Sequence, residues 1–266
     1  MEKEGEKKGR IRRRGIYLLP NLLTTAALFA GFYAVVAAID GNYNKATIAI
    51  FVAMLLDGLD GKLARLTGTE TDFGKEYDSL SDMVAFGLAP ALVVYQWGVE
   101  RLSEYGWVWA KLGWLAAFLY AVAAALRLAR FNALPVYADR RFFEGLPSPP
   151  AAALVAGMVW VGTVHDWSGG FALAFAFSVT ATAGALMVSR FPYYSFKEIS
   201  GRGRISFTYA FVIPLTFILI ALNPPTVLFT LAGTYAVSGP IRALWLLRSR
   251  TGPVKRSPGN FPGAGP

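Results

Sequence analysis

Four aspartates, Asp57, Asp60, Asp78 and Asp82, are the residues of this chain whose types and spacing could do chemistry. Asp57 and Asp60 are three residues apart and Asp78 and Asp82 are four apart, so on helices each pair occupies one face. Two such helices side by side would form a cluster of carboxylates, which we call the carboxylate box. Oxygen-only ligands suit Mg²⁺, Mn²⁺ or Ca²⁺. Two such ions about 4 Å apart can stabilise the attacking and leaving oxygens of an in-line displacement at phosphorus.

The residues between and beside the acids favour a phosphate-bearing ligand. Arg65 can hold a phosphate with its planar guanidinium, and Gly61 and Gly74 let a ligand approach the helix backbones. A P-loop is excluded because the sequence has no G-x-x-x-x-G-K-[ST]. With no cysteine and a single histidine, His165, thiolate nucleophiles, zinc–thiolate sites and a Ser-His-Asp triad are excluded as well. These residues predict metal-dependent phosphoryl or phosphodiester chemistry on a substrate that is partly lipid.

The elements that carry the acids have the composition of a membrane protein. Hydrophobic residues make up 55% of the chain and charged residues 16%, against about 25% charged in a soluble domain. Since a span needs about 20 mostly apolar residues, we predict an all-α, polytopic helical bundle with about eight membrane spans. These are Leu18–Ile39, Ala46–Ala64, Glu76–Gly98, Trp107–Leu126, Ser148–Val164, Phe171–Val188, Phe207–Leu222 and Thr226–Leu247.

The basic residues predict the orientation of this bundle. Of the 26 lysines and arginines, all but Lys45, Arg101 and Lys111 fall on one side. By the positive-inside rule, both termini and the carboxylate box face the cytoplasm. The net charge of +9 is therefore a topology signal, and we predict no nucleic-acid partner.

A single membrane domain occupies most of the chain. Residues 1–15 form a basic cytoplasmic arm, residues 16–250 the membrane domain, and residues 251–266 a Gly- and Pro-rich tail that we predict to be disordered. The first apolar run is too long for a cleaved signal, so we predict a retained span. Small residues predict close helix packing and a homodimer, among them Gly31, Ala152, Ala156 and Gly157.

The spacing D-x-x-D-G-x-x-A-R, eight residues, G-x-x-x-D-x-x-x-D from Asp57 to Asp82 resembles the full signature of the CDP-alcohol phosphatidyltransferase family. The resemblance implies that a CDP-linked lipid binds this motif and that CMP leaves. It implies that Asp57, Asp60, Asp78 and Asp82 hold metal, with Asp82 also acting as the base on the acceptor hydroxyl. The implied cofactor is a divalent metal, Mg²⁺ or Mn²⁺, with two ions bound and Ca²⁺ as an alternative occupant.

The same resemblance places the CDP-lipid against residues of the first two predicted spans and of the segment that follows the second. Pro20-Asn21 and Thr24 resemble a P-N-x-x-T stretch that family members place near the nucleotide. The implied contacts are Asn21, Thr24, Asp57, Gly61, Ala64, Arg65 and Thr71.

Further stretches resemble one branch of the family, the bacterial phosphatidylserine synthases of the integral-membrane type; they are residues 14–21, 78–91, 127–132 and 145–153. This implies that CDP-diacylglycerol and L-serine give phosphatidylserine and CMP in the bacterial cytoplasmic membrane. The carboxylate of serine requires a cation. Arg127 and Arg130 are our candidates, with Asn132 as a polar companion.

Other interpretations remain open at this point. Arg127 and Arg130 also satisfy the positive-inside rule, Asn21 can cap the first span, and Asn132 can end its helix. Another acceptor, glycerol 3-phosphate or choline, would use the same motif, although a phosphorylated acceptor requires more cations. A divalent-cation transporter would need polar residues through to the far side, and spans two and three are apolar beyond their acids.

Overall fold

The protein is described by a computed structural model over residues 2–133, 142–194 and 207–250. Its helices are α1 (Glu2–Ile39), α2 (Tyr43–Thr67), α3 (Asp72–Asp82), α4 (Ala89–Trp97), α5 (Trp107–Ala133), α6 (Ser148–Val164), α7 (Gly169–Val188), α8 (Phe207–Leu222) and α9 (Pro224–Arg250). Two three-residue strands, β1 (Phe142–Glu144) and β2 (Pro192–Tyr194), pair antiparallel. The predicted tail, residues 251–266, lies outside the described residues.

The predicted membrane bundle is confirmed. Five helical runs in the described part of the chain are long and apolar enough to cross a membrane, and α6 is a shorter apolar helix. The five are Leu19–Ile39, Asp72–Tyr105, Trp107–Ala133, Gly169–Val188 and Pro224–Leu246. The total of eight spans and the cytoplasmic placement of both termini stay predictions.

Helices α1 and α2 form an antiparallel pair joined by a tight turn. Gly41 occupies the left-handed region with a φ of 72°, which glycine adopts without steric cost, and the Asn42 amide donates to the carbonyl of Ala37. Small side chains fill the interface, with Ala34 and Ala38 of α1 and Ala46 and Ala53 of α2 all buried. The close approach fixes the far end of α2, which carries Asp57 and Asp60, against the middle of α1.

A π-helical turn, Met83–Leu88, separates α3 from α4. The sequence predicts one regular span here, so the interruption is a departure from that prediction. Pro90 has no backbone N–H and cannot bond to the carbonyl of Phe86 four residues earlier. Instead, the hydroxyl of Tyr120 on α5 donates to that carbonyl at 3.0 Å. The turn directly follows Asp82, and π-helical turns often occur at functional sites.

The two small residues Gly31 and Gly157, which were among those that predicted a homodimer, pack between helices of the same chain. A Cβ at Gly31 of α1 would lie 2.7 Å from Cα of Ala85, and one at Gly157 of α6 would lie 3.0 Å from Cα of Phe229. Both glycines therefore let helices of one protomer approach closely. The homodimer stays a prediction, without these glycines as evidence for it.

Replacing Gly31 by alanine is expected to destabilise the bundle. The added Cβ would press α1 against the π-helical turn, and such overpacking costs about 1–3 kcal/mol of the free energy of unfolding. Thermal unfolding of the detergent-purified protein, followed by tryptophan fluorescence, measures this. Gly58→Ala is the matched control, because a Cβ there meets no atom within 4 Å. Equal unfolding midpoints for the two variants would contradict the close contact.

The short β1–β2 ladder was not predicted, and it ties the connections on either side of α6 and α7 to α9. Gly145 follows β1 with a φ of 81°, and its amide donates to the Phe191 carbonyl at 2.9 Å. Tyr193 is fully buried, and its hydroxyl donates to the Ala236 carbonyl at 2.8 Å. Burial raises the pKa of Tyr193 to about 12, so the phenol stays a neutral donor. The ladder thereby helps to fix α9 against α6.

Candidate active site

The predicted carboxylate box forms where α2 and α3 face each other. Carboxylate oxygens of Asp57, Asp60 and Asp78 lie within 4.8 Å of one another. The carboxyl group of Asp82 contacts that of Asp57, which places the fourth acid beside the other three. Asp60 is buried and the other three are partly buried. Four acids this close, partly withdrawn from water, need compensating positive charge.

The residues of the box fit a divalent cation. Oδ1 of Asp78 is buried and has no hydrogen-bond partner among the described residues. An unpaired buried acceptor costs about 1–3 kcal/mol unless another group satisfies it. Because the donors are all carboxylate oxygens, a hard cation such as Mg²⁺ or Mn²⁺ is the group that matches them.

Thr24 of α1 fixes the orientation of Asp60. The Thr24 hydroxyl donates to Oδ2 of Asp60 at 2.7 Å, and both residues are buried. In turn, the hydroxyl of Ser81 on α3 donates to the Thr24 carbonyl at 3.1 Å. The sequence predicts Thr24 as a contact to the CDP-lipid; the structure adds that it links all three helices of the site.

An open pocket lies beside the box, between α1, α2 and the start of α3. It is lined by five of the seven residues predicted to contact the CDP-lipid, which are Asn21, Thr24, Gly61, Ala64 and Thr71. Asp60 and Asp78 form its wall toward the box, and Lys75 and Glu70, which were not predicted, line its rim. A ligand in this pocket would therefore touch the signature residues and the acids together.

Local contacts define the rim of the pocket. Arg65 is exposed, and its Nε donates to the Gly61 carbonyl at 2.8 Å, which holds the guanidinium beside the pocket. Thr71 caps α3, since its hydroxyl accepts from the Gly74 amide at 3.0 Å. A Cβ at Gly74 would lie 3.5 Å from Oδ1 of Asn21. Asn21 lies within α1 and does not cap it.

The three residues predicted to hold the serine have different surroundings. Arg127 lies close enough to Asp82 for their charges to interact. Arg130 pairs with Glu144 of β1. Asn132 is exposed and donates to the Ser79 hydroxyl at 2.9 Å, in a separate groove between α3 and α5. The structure thus brings Arg127 near Asp82, whereas Arg130 pairs with Glu144 and Asn132 with Ser79.

Sequence reasoning missed three residues that surround the site. Ser81 lies between Asp78 and Asp82 and had a local signal in the D-S-L-S-D stretch. Ser148 reads as the first residue of α6, which it is, but its hydroxyl also accepts from Arg127 Nη1 at 3.0 Å. Tyr235 lies in the apolar helix α9, near Arg127 but more than 100 residues away in sequence, so no local pattern could reveal it.

Comparison with known proteins gives consistent matches. The sequence model described as CDP-alcohol phosphatidyltransferase matches residues 17–188. The CDP-diacylglycerol–serine O-phosphatidyltransferase of Helicobacter pylori is 34% identical over 233 residues, covering 87% of this chain and 93% of that protein. The Mycobacterium tuberculosis protein of the same name is 38% identical over 199 residues, covering 71% and 65%. An archaetidylserine synthase of Methanothermobacter thermautotrophicus is 33% identical over 187 residues, covering 70% and 72%.

Proposed function

The chain belongs to the CDP-alcohol phosphatidyltransferase family, and on that premise we propose that it transfers the phosphatidyl group of CDP-diacylglycerol to the hydroxyl of L-serine. The products are phosphatidylserine and CMP. The observation that carries the proposal is the carboxylate box opening onto a pocket lined by the signature residues. Relatives named for transfer to serine support the choice of acceptor.

The reaction needs one base and a bound phosphate ester. In the proposed mechanism the serine hydroxyl oxygen attacks the phosphorus of the phosphatidyl group, and the bond from that phosphorus to the CMP oxygen breaks. Asp82 accepts the proton of the hydroxyl during attack, because serine is a poor nucleophile until a positioned base takes that proton. Arg65, Gly61 and Asn21 hold the CDP moiety in the pocket, and the acyl chains remain among the lipids.

The acids of the box also supply the metal ligands. We propose that Asp57, Asp60, Asp78 and Asp82 hold two divalent ions, Mg²⁺ or Mn²⁺. When bound, such ions neutralise phosphate charge and stabilise the leaving oxygen. Thr24 contributes indirectly, since its hydrogen bond fixes the Asp60 carboxylate in the orientation the site needs.

The acceptor end of the site is proposed to centre on Arg127. Serine has a carboxylate, and the proximity of the Arg127 guanidinium to Asp82 supports Arg127 as the cation that binds it. Arg130 already forms an ion pair with Glu144, and Asn132 bonds to Ser79 in a separate groove. These two stay predictions, with less support from the geometry.

The protein is a membrane protein, and we propose that it lies in the bacterial cytoplasmic membrane with the box facing the cytoplasm. The one-sided distribution of lysine and arginine supports this orientation. CMP and serine are water-soluble, so an aqueous opening to the pocket is also required. We further propose a homodimer.

Purified enzyme given labelled CDP-diacylglycerol and a panel of acceptors tests the proposal. CMP release and a labelled phospholipid product are expected with L-serine, and not with glycerol 3-phosphate or choline. Product with glycerol 3-phosphate in place of serine would overturn the acceptor. Cation flux in proteoliposomes without CMP release would overturn the enzyme assignment altogether.

A further inference from the structure

Arg127 is held at one end of its guanidinium and unpaired at the other. Its Nη1 donates to the hydroxyl of Ser148, which is fully buried at the start of α6. Its Nε is buried and has no hydrogen-bond partner among the residues that the structure describes. A buried donor without a partner is costly. Adjacent N–H groups of arginine bind a carboxylate with two parallel bonds, and the Nε edge is one such pair.

A second side chain, Tyr235 of α9, lies near the same guanidinium. Tyr235 and Asp82 are both close enough to Arg127 for a charge on either one to act on it. The hydroxyl of Tyr235 donates to the Tyr194 carbonyl at 3.1 Å, and its ring centroid lies 5.5 Å from that of Tyr193. The β1–β2 ladder therefore fixes Tyr235, while Ser148 at the start of α6 holds Arg127 of α5 directly.

We infer that Ser148 and Tyr235 are positioning residues that hold Arg127 so that its Nε edge binds the carboxylate of an amino-acid acceptor next to Asp82. This inference rests on the proposed function. It implies that the metal-binding part and the acceptor-binding part of the site come from different regions of the chain. All four aspartates lie within the matched residues 17–188, whereas Tyr235 lies beyond them. The acceptor end of the site is thus completed by a helix outside the region that the family model describes.

Kinetics of the full-length enzyme with Ser148→Ala and Tyr235→Phe tests this inference. Each variant lacks one hydroxyl that helps to position the Arg127 guanidinium, and each is expected to raise KM for L-serine about tenfold. L-alanine, which keeps the carboxylate and ammonium but has no hydroxyl, should act as a competitive inhibitor whose Ki rises in parallel. KM for CDP-diacylglycerol is expected to stay within about twofold, because neither Ser148 nor Tyr235 lines the nucleotide pocket.

Tyr43→Phe is the matched control. It also removes a tyrosine hydroxyl that donates to a backbone carbonyl, that of Gln96 at 2.9 Å, but Tyr43 begins α2, at the opposite end of that helix from Asp57 and Asp60. This variant should unfold at a lower temperature and keep the wild-type KM for serine. Should Tyr235→Phe fail to fold, Ser148→Ala still decides, since it removes one oxygen at a helix start.

Two results would count against the inference, and they differ from a failure of the proposed function. An unchanged KM for serine in the folded variants would overturn it, as would equal increases in KM for serine and for CDP-diacylglycerol, which indicate a general loosening. A wild-type enzyme that releases no CMP with serine would instead overturn the proposed function, and this inference with it.

Discussion

Asp82→Asn is expected to lower kcat by about 10²–10⁴-fold, the usual contribution of a positioned general base, while the affinity for CDP-diacylglycerol stays within severalfold. Asparagine keeps the size of the side chain but cannot take the proton of the acceptor hydroxyl. Asp82 lies where α3 meets the π-helical turn. Its carboxyl group contacts that of Asp57, and its charge acts on Arg127. It therefore adjoins the metal ligands and the proposed acceptor site together. Rates of CMP release and equilibrium binding of the lipid measure the two effects separately.

Asp72→Asn is the control for that experiment. Asp72 lies in the first turn of α3, is fully exposed, and pairs only with Lys75, at 3.3 Å, in the described structure. Its replacement should leave kcat within about twofold, as surface substitutions usually do. If Asp82→Asn keeps most of its turnover, the base is misassigned. If it loses lipid binding in proportion to turnover, Asp82 acts as a metal ligand and not as the base.

The carboxylate box could be predicted from sequence because it depends on local geometry. Spacings of three and four residues place side chains on one helix face whatever the surroundings. The apolar runs likewise define helix ends where proline or a polar stretch stops them, and the predicted bounds of α6 and α8 coincide with those in the structure. Both predictions use the period of the helix, which the sequence displays directly.

The rest of the site depends on contacts between distant segments. At the π-helical turn, Pro90 cannot bond to the Phe86 carbonyl, and the Tyr120 hydroxyl bonds to it instead. Tyr120 and Phe86 are 34 residues apart in sequence. Arg127 and Arg130 look equivalent in sequence, yet one reaches Ser148 and the other pairs with Glu144. No periodicity distinguishes them, because the difference arises from where α6 and the ladder pack.

Removal of divalent metal is expected to lower serine-dependent CMP release by at least about 100-fold, since bound cations stabilise the transition state by several kcal/mol. Added Mg²⁺ or Mn²⁺ should restore the rate. Asp57→Asn should raise the metal concentration needed for half-maximal activity by about 10–100-fold, the range seen when groups that support a metal site are changed. It should also weaken CDP-diacylglycerol binding. Asp57 is the best position for this test, because its carboxyl group contacts Asp78 and Asp82 and lies within the cluster with Asp60.

Metal removal tests whether the ions are needed for activity, and Asp57→Asn tests whether Asp57 binds them or only supports the fold. Asp40→Asn changes an exposed acid in the turn at the opposite end of the α1–α2 pair, and it should leave the metal requirement unchanged. Full activity after thorough chelation would contradict metal dependence. An Asp57→Asn enzyme with a normal metal requirement but a lowered unfolding temperature would instead mean that Asp57 supports the packing of α2 on α3. The carboxylate box would then owe its arrangement to structure, with Asp60, Asp78 and Asp82 left as the ligands to test.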